Sequence, residues 1–204
     1  MEILSKLFSS EAKVKIMRLF LFNPDTTFEV NNIAERIKED PARARKELVG
    51  LEKISLIKKK ILGKTSGGTG KKKKEIRITS YGYYLNRNFS YLAPLQNFLI
   101  NAKPLQPKEI VRKITQLGTV KLLVISGVFI QDSESRVDML VVGDNIKKTH
   151  LENVVKTLES EIGKELKYAY FTTADFTYRL SMYDKLIRDI LDYPHEKIVN
   201  KLGL

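Results

Sequence analysis

Cysteine is absent from the 204-residue chain. That excludes disulfides, a cysteine-held iron–sulfur cluster and a zinc ribbon, and it agrees with a cytoplasmic setting. Histidine occurs only at His150 and His195, far apart and without cysteine partners. Neither a metal site nor a Ser-His-Asp arrangement can be argued from so few, and no cofactor is called for. No apolar run approaches the ~18–20 residues of a bilayer-spanning helix, so no membrane partner is expected. The first fifteen residues mix charges among their apolar positions and do not read as a signal peptide. The composition, 43% hydrophobic and 29% charged, fits a globular protein of one large domain or two modest ones.

The excess of positive charge is unevenly placed. Residues 1–103 carry 21 basic against 10 acidic side chains, whereas residues 104–204 carry 15 against 14. A net charge of +12 is therefore almost entirely a property of the front half, which reads as a polyanion-binding domain ahead of an ordinary one.

Within that front half, residues 11–22 predict a helix with Ala12, Ile16, Leu19 and Phe20 on one face, stopped by Asn23-Pro24-Asp25. Thr26 and Glu29 are spaced as a capping box for a second helix whose stripe is Val30, Ile33, Ala34 and Ile37. Asp40-Pro41 opens a third helix, with Asp as cap and Pro at the first helical position. Its inner face is Ala44, Leu48 and Leu51, and its outer face offers Arg43, Arg45 and Lys46. Two short helices across a turn of about three residues have helix-turn-helix spacing, and the second of such a pair enters the major groove N-terminus first.

A strand over 55–62, a flexible turn over 64–70 and a returning strand to Thr79 follow, the alternation of Ile76 and Ile78 marking the second strand. A hairpin directly after such a helix is the wing of a winged helix. Between Lys58 and Arg77 lie nine basic residues (Lys58, Lys59, Lys60, Lys64, Lys71, Lys72, Lys73, Lys74 and Arg77) and one acid, Glu75. Cations so placed suit phosphates; a solvated basic loop is the plainer alternative. Gly63-Lys64-Thr65 and Gly70-Lys71 suggest a phosphate loop, but both lack its glycine five positions upstream, and Lys72 stands where a hydroxyl is needed. Residues 82–101 read as a loop and then an apolar helix broken near Pro94, and Pro104 and Pro107 mark the domain boundary.

The second half predicts helix 108–117, strands 120–125 and 137–142, a helix with the stripe Leu151, Val154, Val155, Leu158 and Ile162, a strand at 166–170, and a long helix 174–191. Pro194-His195-Glu196 would start a C-terminal helix. The order suggests a small α/β domain.

The run from Leu123 to Asp144, LVISGVFIQDSESRVDMLVVGD, resembles the signature of the nucleotidyltransferase superfamily: Gly-Ser after a strand, a loop, then two carboxylates one residue apart. With the stretch from Gly163 to Leu191 and the Tyr83-to-Asn86 segment, nearly the whole chain resembles proteins that join an ArsR-like winged helix-turn-helix to a minimal nucleotidyltransferase domain. Active members of that superfamily hold two divalent metals between strand carboxylates. Here Gly127 matches the motif glycine, Val128 stands at the serine position, Asp138 matches one carboxylate and Arg136 stands where the other belongs. The third-strand segment has no acid, although Glu165 precedes it and Asp132 and Glu134 lie in the loop. The resemblance thus implies a degenerate, catalytically inactive domain without metal, in which Asp138 pairs with an arginine.

The expectation is an α+β protein: a winged helix-turn-helix over 1–103, followed by a small α/β nucleotidyltransferase-like domain over 104–204. It would act as a dimeric, cytoplasmic transcriptional regulator of double-stranded DNA, its second domain serving dimerisation or sensing of a nucleotide or small-molecule effector. Two other functions stay open: an active nucleotidyltransferase or antitoxin-type enzyme modifying a partner protein, and a non-enzymatic RNA- or protein-interaction module. The scarcity of aromatics among the basic residues counts against base stacking.

Overall fold

The computed structural model describes residues 2–67, 76–100, 107–132 and 134–204, with only the backbone for residues 2, 64–67 and 76–79. The chain is a mixed α+β protein with two sheets. It divides into two compact units, Met1–Ile100 and Asn101–Leu204. Pro104 lies outside the described residues. No helix among the described residues is long and apolar enough to cross a membrane.

In the first unit, α1 (Glu2–Leu7) precedes α2 (Glu11–Phe22), which Ser10 caps by accepting from the Lys13 amide at 3.3 Å. The sequence periodicity made α2 one-sided, yet nine of its twelve residues are buried, including Lys15 and Arg18. It is the central element of this core. Arg18 is 1% exposed, and its Nε donates to the Leu99 carbonyl at 3.1 Å, tying α2 to the far end of the unit.

Helix α3 (Val30–Ile37) ends where Lys38 turns left-handed, and α4 (Pro41–Lys53) starts three residues later. As its sequence predicts, Asp40 caps α4 by accepting from the Ala42 amide at 2.7 Å, with Pro41 in the first turn. Ala44, Leu48 and Leu51 are buried. Replacing Asp40 with Ala is expected to cost about 1 kcal/mol in denaturant unfolding of the first unit; an unchanged midpoint would remove the cap from the helix's stability.

The capping box at Thr26 does not form. Phe28–Glu29 is instead a short strand, β1, and α3 begins without a side-chain cap. Phe28 is buried edge-on against Phe20, with ring centroids 5.7 Å apart, and its backbone pairs with Tyr83. Core burial plus two ladder residues outweigh one cap. Strands β2 (Ile57–Gly67) and β3 (Ile76–Leu85) form the hairpin, and the sheet order is β1-β3-β2. Two further expectations are corrected here. The hairpin stays paired out to Gly67 and Ile76, so residues 64–67 belong to β2 and not to the turn expected over 64–70, and residues 82–85 continue β3 rather than forming a loop. The alternation of Tyr81, Tyr83 and Leu85 explains the second point. Gly82 permits β1 to close on the hairpin, since a Cβ there would lie 2.5 Å from the Thr27 methyl. Helix α5 (Leu92–Leu99) is not broken at Pro94, which falls in the first turn where an amide hydrogen has no helical acceptor.

The second unit is a sheet of order β6-β5-β4-β7, in which only β5 and β6 are parallel. Its elements are α6 (Pro107–Thr115), β4 (Thr119–Ile125), β5 (Met139–Asp144), α7 (Lys148–Ile162), β6 (Tyr168–Phe171), α8 (Thr173–Ser181), α9 (Lys185–Asp192) and β7 (Glu196–Asn200). Leu122, Val124, Leu140 and Val142 face Phe176 of α8 and Ile187 and Ile190 of α9. The intervening residues Leu123 and Val141 are fully buried toward the opposite face.

The single helix expected over 174–191 is two helices. Tyr183 adopts φ +55°, and Asp184 caps α9 by accepting from the Leu186 and Ile187 amides while pairing with Arg179 at 2.9 Å. The expected C-terminal helix at Pro194 is likewise a strand: β7 pairs antiparallel with β4 and covers an edge that would otherwise lie open.

Candidate nucleic-acid interface

With Ala44, Leu48 and Leu51 turned inward, the 100° step of the helix projects Ala42, Lys46, Val49 and Lys53 outward and sets Arg43 and Arg45 on opposite flanks, and all six are exposed. Arg43 lies toward one flank. Its Nη1 is 3.0 Å from Glu39 Oε2, and Glu39 Oε1 is 3.3 Å from the ammonium of Lys15, which also meets Glu11 at 2.8 Å. The Lys15 hydrogen bond holds the Glu11 carboxyl below its usual value. Arg43 is therefore tethered to the turn between α3 and α4 and to α2, a role the sequence did not suggest.

Arg45 lies toward the other flank, facing the hairpin. It lines an open concavity of about 460 Å³ with Glu29, Asn31, Val49, Lys59, Ser80 and Tyr81. The Lys59 ammonium sits 4.0 Å from the Tyr81 ring centroid and 6.0 Å from that of Tyr83, a cation–π seat that limits its freedom.

The strand pleat separates the three consecutive lysines. Lys58 and Lys60 point to the reverse face, where they line a second hollow of about 330 Å³ with Tyr84, Arg87 and Asn88. There Lys60 stands 5.5 Å from the Tyr84 ring, and Arg87 pairs with Asp25. The structure thus joins Arg45 and Lys59 and sets Lys58 and Lys60 apart. Lys64 and Arg77 lie on paired strand positions, opposite Thr79 and Ser66 respectively, and their side chains are outside the described set. Lys71, Lys72, Lys73 and Lys74 lie outside the described residues altogether. Asn31, Glu39, Val49 and Tyr81 were missed from sequence. The period-two pattern of Tyr81, Tyr83 and Leu85 was the available signal for the tyrosines, and their position beside lysines removes the argument that aromatics are scarce there.

In the second unit, Gly127, Val128 and Phe129 form a single 3₁₀ turn after β4. Asp138 is 6% exposed, and its oxygens accept from two main-chain amides, Val128 and Lys167, each at 2.8 Å. It does not pair with Arg136, as the sequence suggested. Arg136 instead meets Asp189 at 2.6 Å, beside a hollow of about 10 Å³, roughly the space of one water. Asp132 closes a local turn through the Glu134 amide and the Ser135 hydroxyl, and Glu165 is exposed. Asp144, at the end of β5, accepts from both the hydroxyl and the amide of Thr173, which lower its carboxyl from the usual value. Among the described residues no group of three or more His, Asp or Glu side chains is placed to hold a metal ion.

No family model matches the chain, and no curated protein or solved structure matches it either.

Proposed function

We propose that the first unit is a winged helix-turn-helix that binds double-stranded DNA and that the protein regulates transcription. The observation that carries this reading is the exposed face of α4, with Arg45 and Lys46 on it and Lys59 of the hairpin across one concavity from Arg45. The order supports it too: two helices across a three-residue turn, then a hairpin strengthened by a short strand ahead of the first of the pair. In that geometry α4 lies in the major groove and the hairpin follows a flanking phosphate strand. Arg43, held by Glu39, contributes a phosphate contact or a fixed charge and not base reading. The protein acts as a dimer in this proposal, matching the two-fold symmetry of such sites. The second unit is a nucleotidyltransferase-like module without catalysis, supported by the inward-facing carboxylate of Asp138 and the small size of the hollow at Arg136.

Fluorescence anisotropy with duplex DNA, single-stranded DNA and duplex RNA of one sequence tests this. Duplex DNA is expected to bind tightest, and Arg45→Ala with Lys59→Ala to weaken it at least tenfold, as loss of two charged contacts implies. One observation favours a second reading, in which single strands are bound: Tyr81 and Tyr84 stand beside lysines. Preference for single strands, with a loss on Tyr81→Leu matching that on Lys59→Ala, would replace the duplex reading.

A further inference from the structure

We infer that α4 reads the 5-methyl groups of thymine through Val49 and Ala42, an assignment that rests on the duplex binding proposed above. Val49 is 47% exposed, on the outward face of α4. Arg45 and Lys46 lie one turn before it and Lys53 one turn after, all exposed. Ala42 lies on the same face two turns earlier, in the first turn of the helix. An apolar side chain set among three cations contributes nothing to holding a phosphate. It does not serve this unit's core either, because Ala44, Leu48 and Leu51 supply the buried face.

The edges of the bases decide what such a residue can meet. Among the groups the major groove presents, the thymine methyl is the apolar one, and short apolar side chains contact it. The minor groove presents no methyl, and the sugar–phosphate chain offers only deoxyribose C–H faces that are the same at every base. The concavity beside α4 carries the same mixture, since Val49 shares it with Arg45 and Lys59. Cations and apolar groups alternating on one helix face therefore suit mixed guanine and thymine content better than a run of either.

Spacing makes the inference specific. Ala42 and Val49 are seven residues apart, about 10 Å along the helix axis. That distance is about three base-pair rises. Each half-site is expected to hold two thymines about three base pairs apart, flanking a position contacted by Arg45 or Lys46.

The test begins with duplexes selected by the full-length protein from a random pool at fixed salt. Uracil is then placed at each enriched thymine in turn, which removes the methyl and leaves every hydrogen-bonding group in place. Each replacement at a contacted position is expected to weaken binding about fourfold, the worth of one buried methyl. In Val49→Ser, which puts a hydroxyl in place of the apolar branch, the effect should vanish at one of the two thymines and persist at the other. Uracil replacement without effect, or with equal effect in wild type and Val49→Ser, overturns the inference while leaving duplex binding intact. A pool that yields no bound duplex overturns the duplex reading itself.

Discussion

Affinity for duplex DNA of mixed sequence is expected to fall by about 10³- to 10⁵-fold between about 50 and 200 mM salt, the loss that follows when about six to ten phosphates are neutralised. The first unit has the cations for it. Arg45, Lys46 and Lys53 are exposed on α4, Lys59 faces them, and Lys64, Lys71–Lys74 and Arg77 lie farther along the hairpin sequence. Exchanging Lys71, Lys72, Lys73 and Lys74 for Gln should flatten the slope of log K against log salt by about 3–4, each lost contact removing about 0.9. The strand pleat adds an internal control. Lys58 and Lys60 face away from α4, so exchanging both for Gln should change the slope by less than about one. A quadruple variant with the wild-type slope would remove Lys71–Lys74 from the proposed interface. A double variant as damaging as the quadruple one would mean that nucleic acid contacts the reverse face of the sheet.

How much of this was legible in the sequence depended on whether a residue's conformation is set locally. The start of α4 was readable because Asp40 and Pro41 act within one turn of the backbone they organise. The inner faces of α3 and α4 were readable because their apolar spacing matches the helical period. The capping box failed because the fate of Phe28 is decided by Phe20 and Tyr83, one eight residues before it and the other 55 after it in sequence. The C-terminal strand failed for the same reason, since residues 196–200 pair with a strand some seventy positions earlier. At the candidate site, charge marked out the region but could not divide it. Only the hairpin register shows that Lys59 faces α4 while its two neighbours do not, and only tertiary contact shows that Glu39, the local partner of Arg43 four residues before it, is also held by Lys15.

The second strong effect concerns Gly127 and Asp138, the two residues on which the proposed likeness to nucleotidyltransferases rests. Gly127 has φ +55°, and a Cβ on it would lie 2.1 Å from Asp138 Oδ1. Asp138 cannot retreat, because the same oxygen accepts from the Val128 amide and the other from the Lys167 amide. Gly127→Ala is therefore expected to destabilise the second unit by about 3 kcal/mol or more, about 1–2 of it from the left-handed backbone and the rest from the displaced carboxylate. Asp138→Ala leaves two main-chain donors without their acceptor, at about 1.5–3 kcal/mol for each charged hydrogen bond. The two residues share one contact, so their effects should not add. In the Asp138→Ala background, Gly127→Ala should cost only the backbone strain. Denaturant unfolding of the four proteins, with hydrogen exchange at the Val128 and Lys167 amides, reads this coupling directly. Should Asp138→Ala leave stability and both amides unchanged yet abolish a magnesium-dependent nucleotide transfer by the wild type, Asp138 would be a catalytic carboxylate and the second unit an enzyme. A strong coupling with Gly127 and no transfer would instead make the retained motif a structural joint, in which the carboxylate holds the turn after β4 to the start of β6.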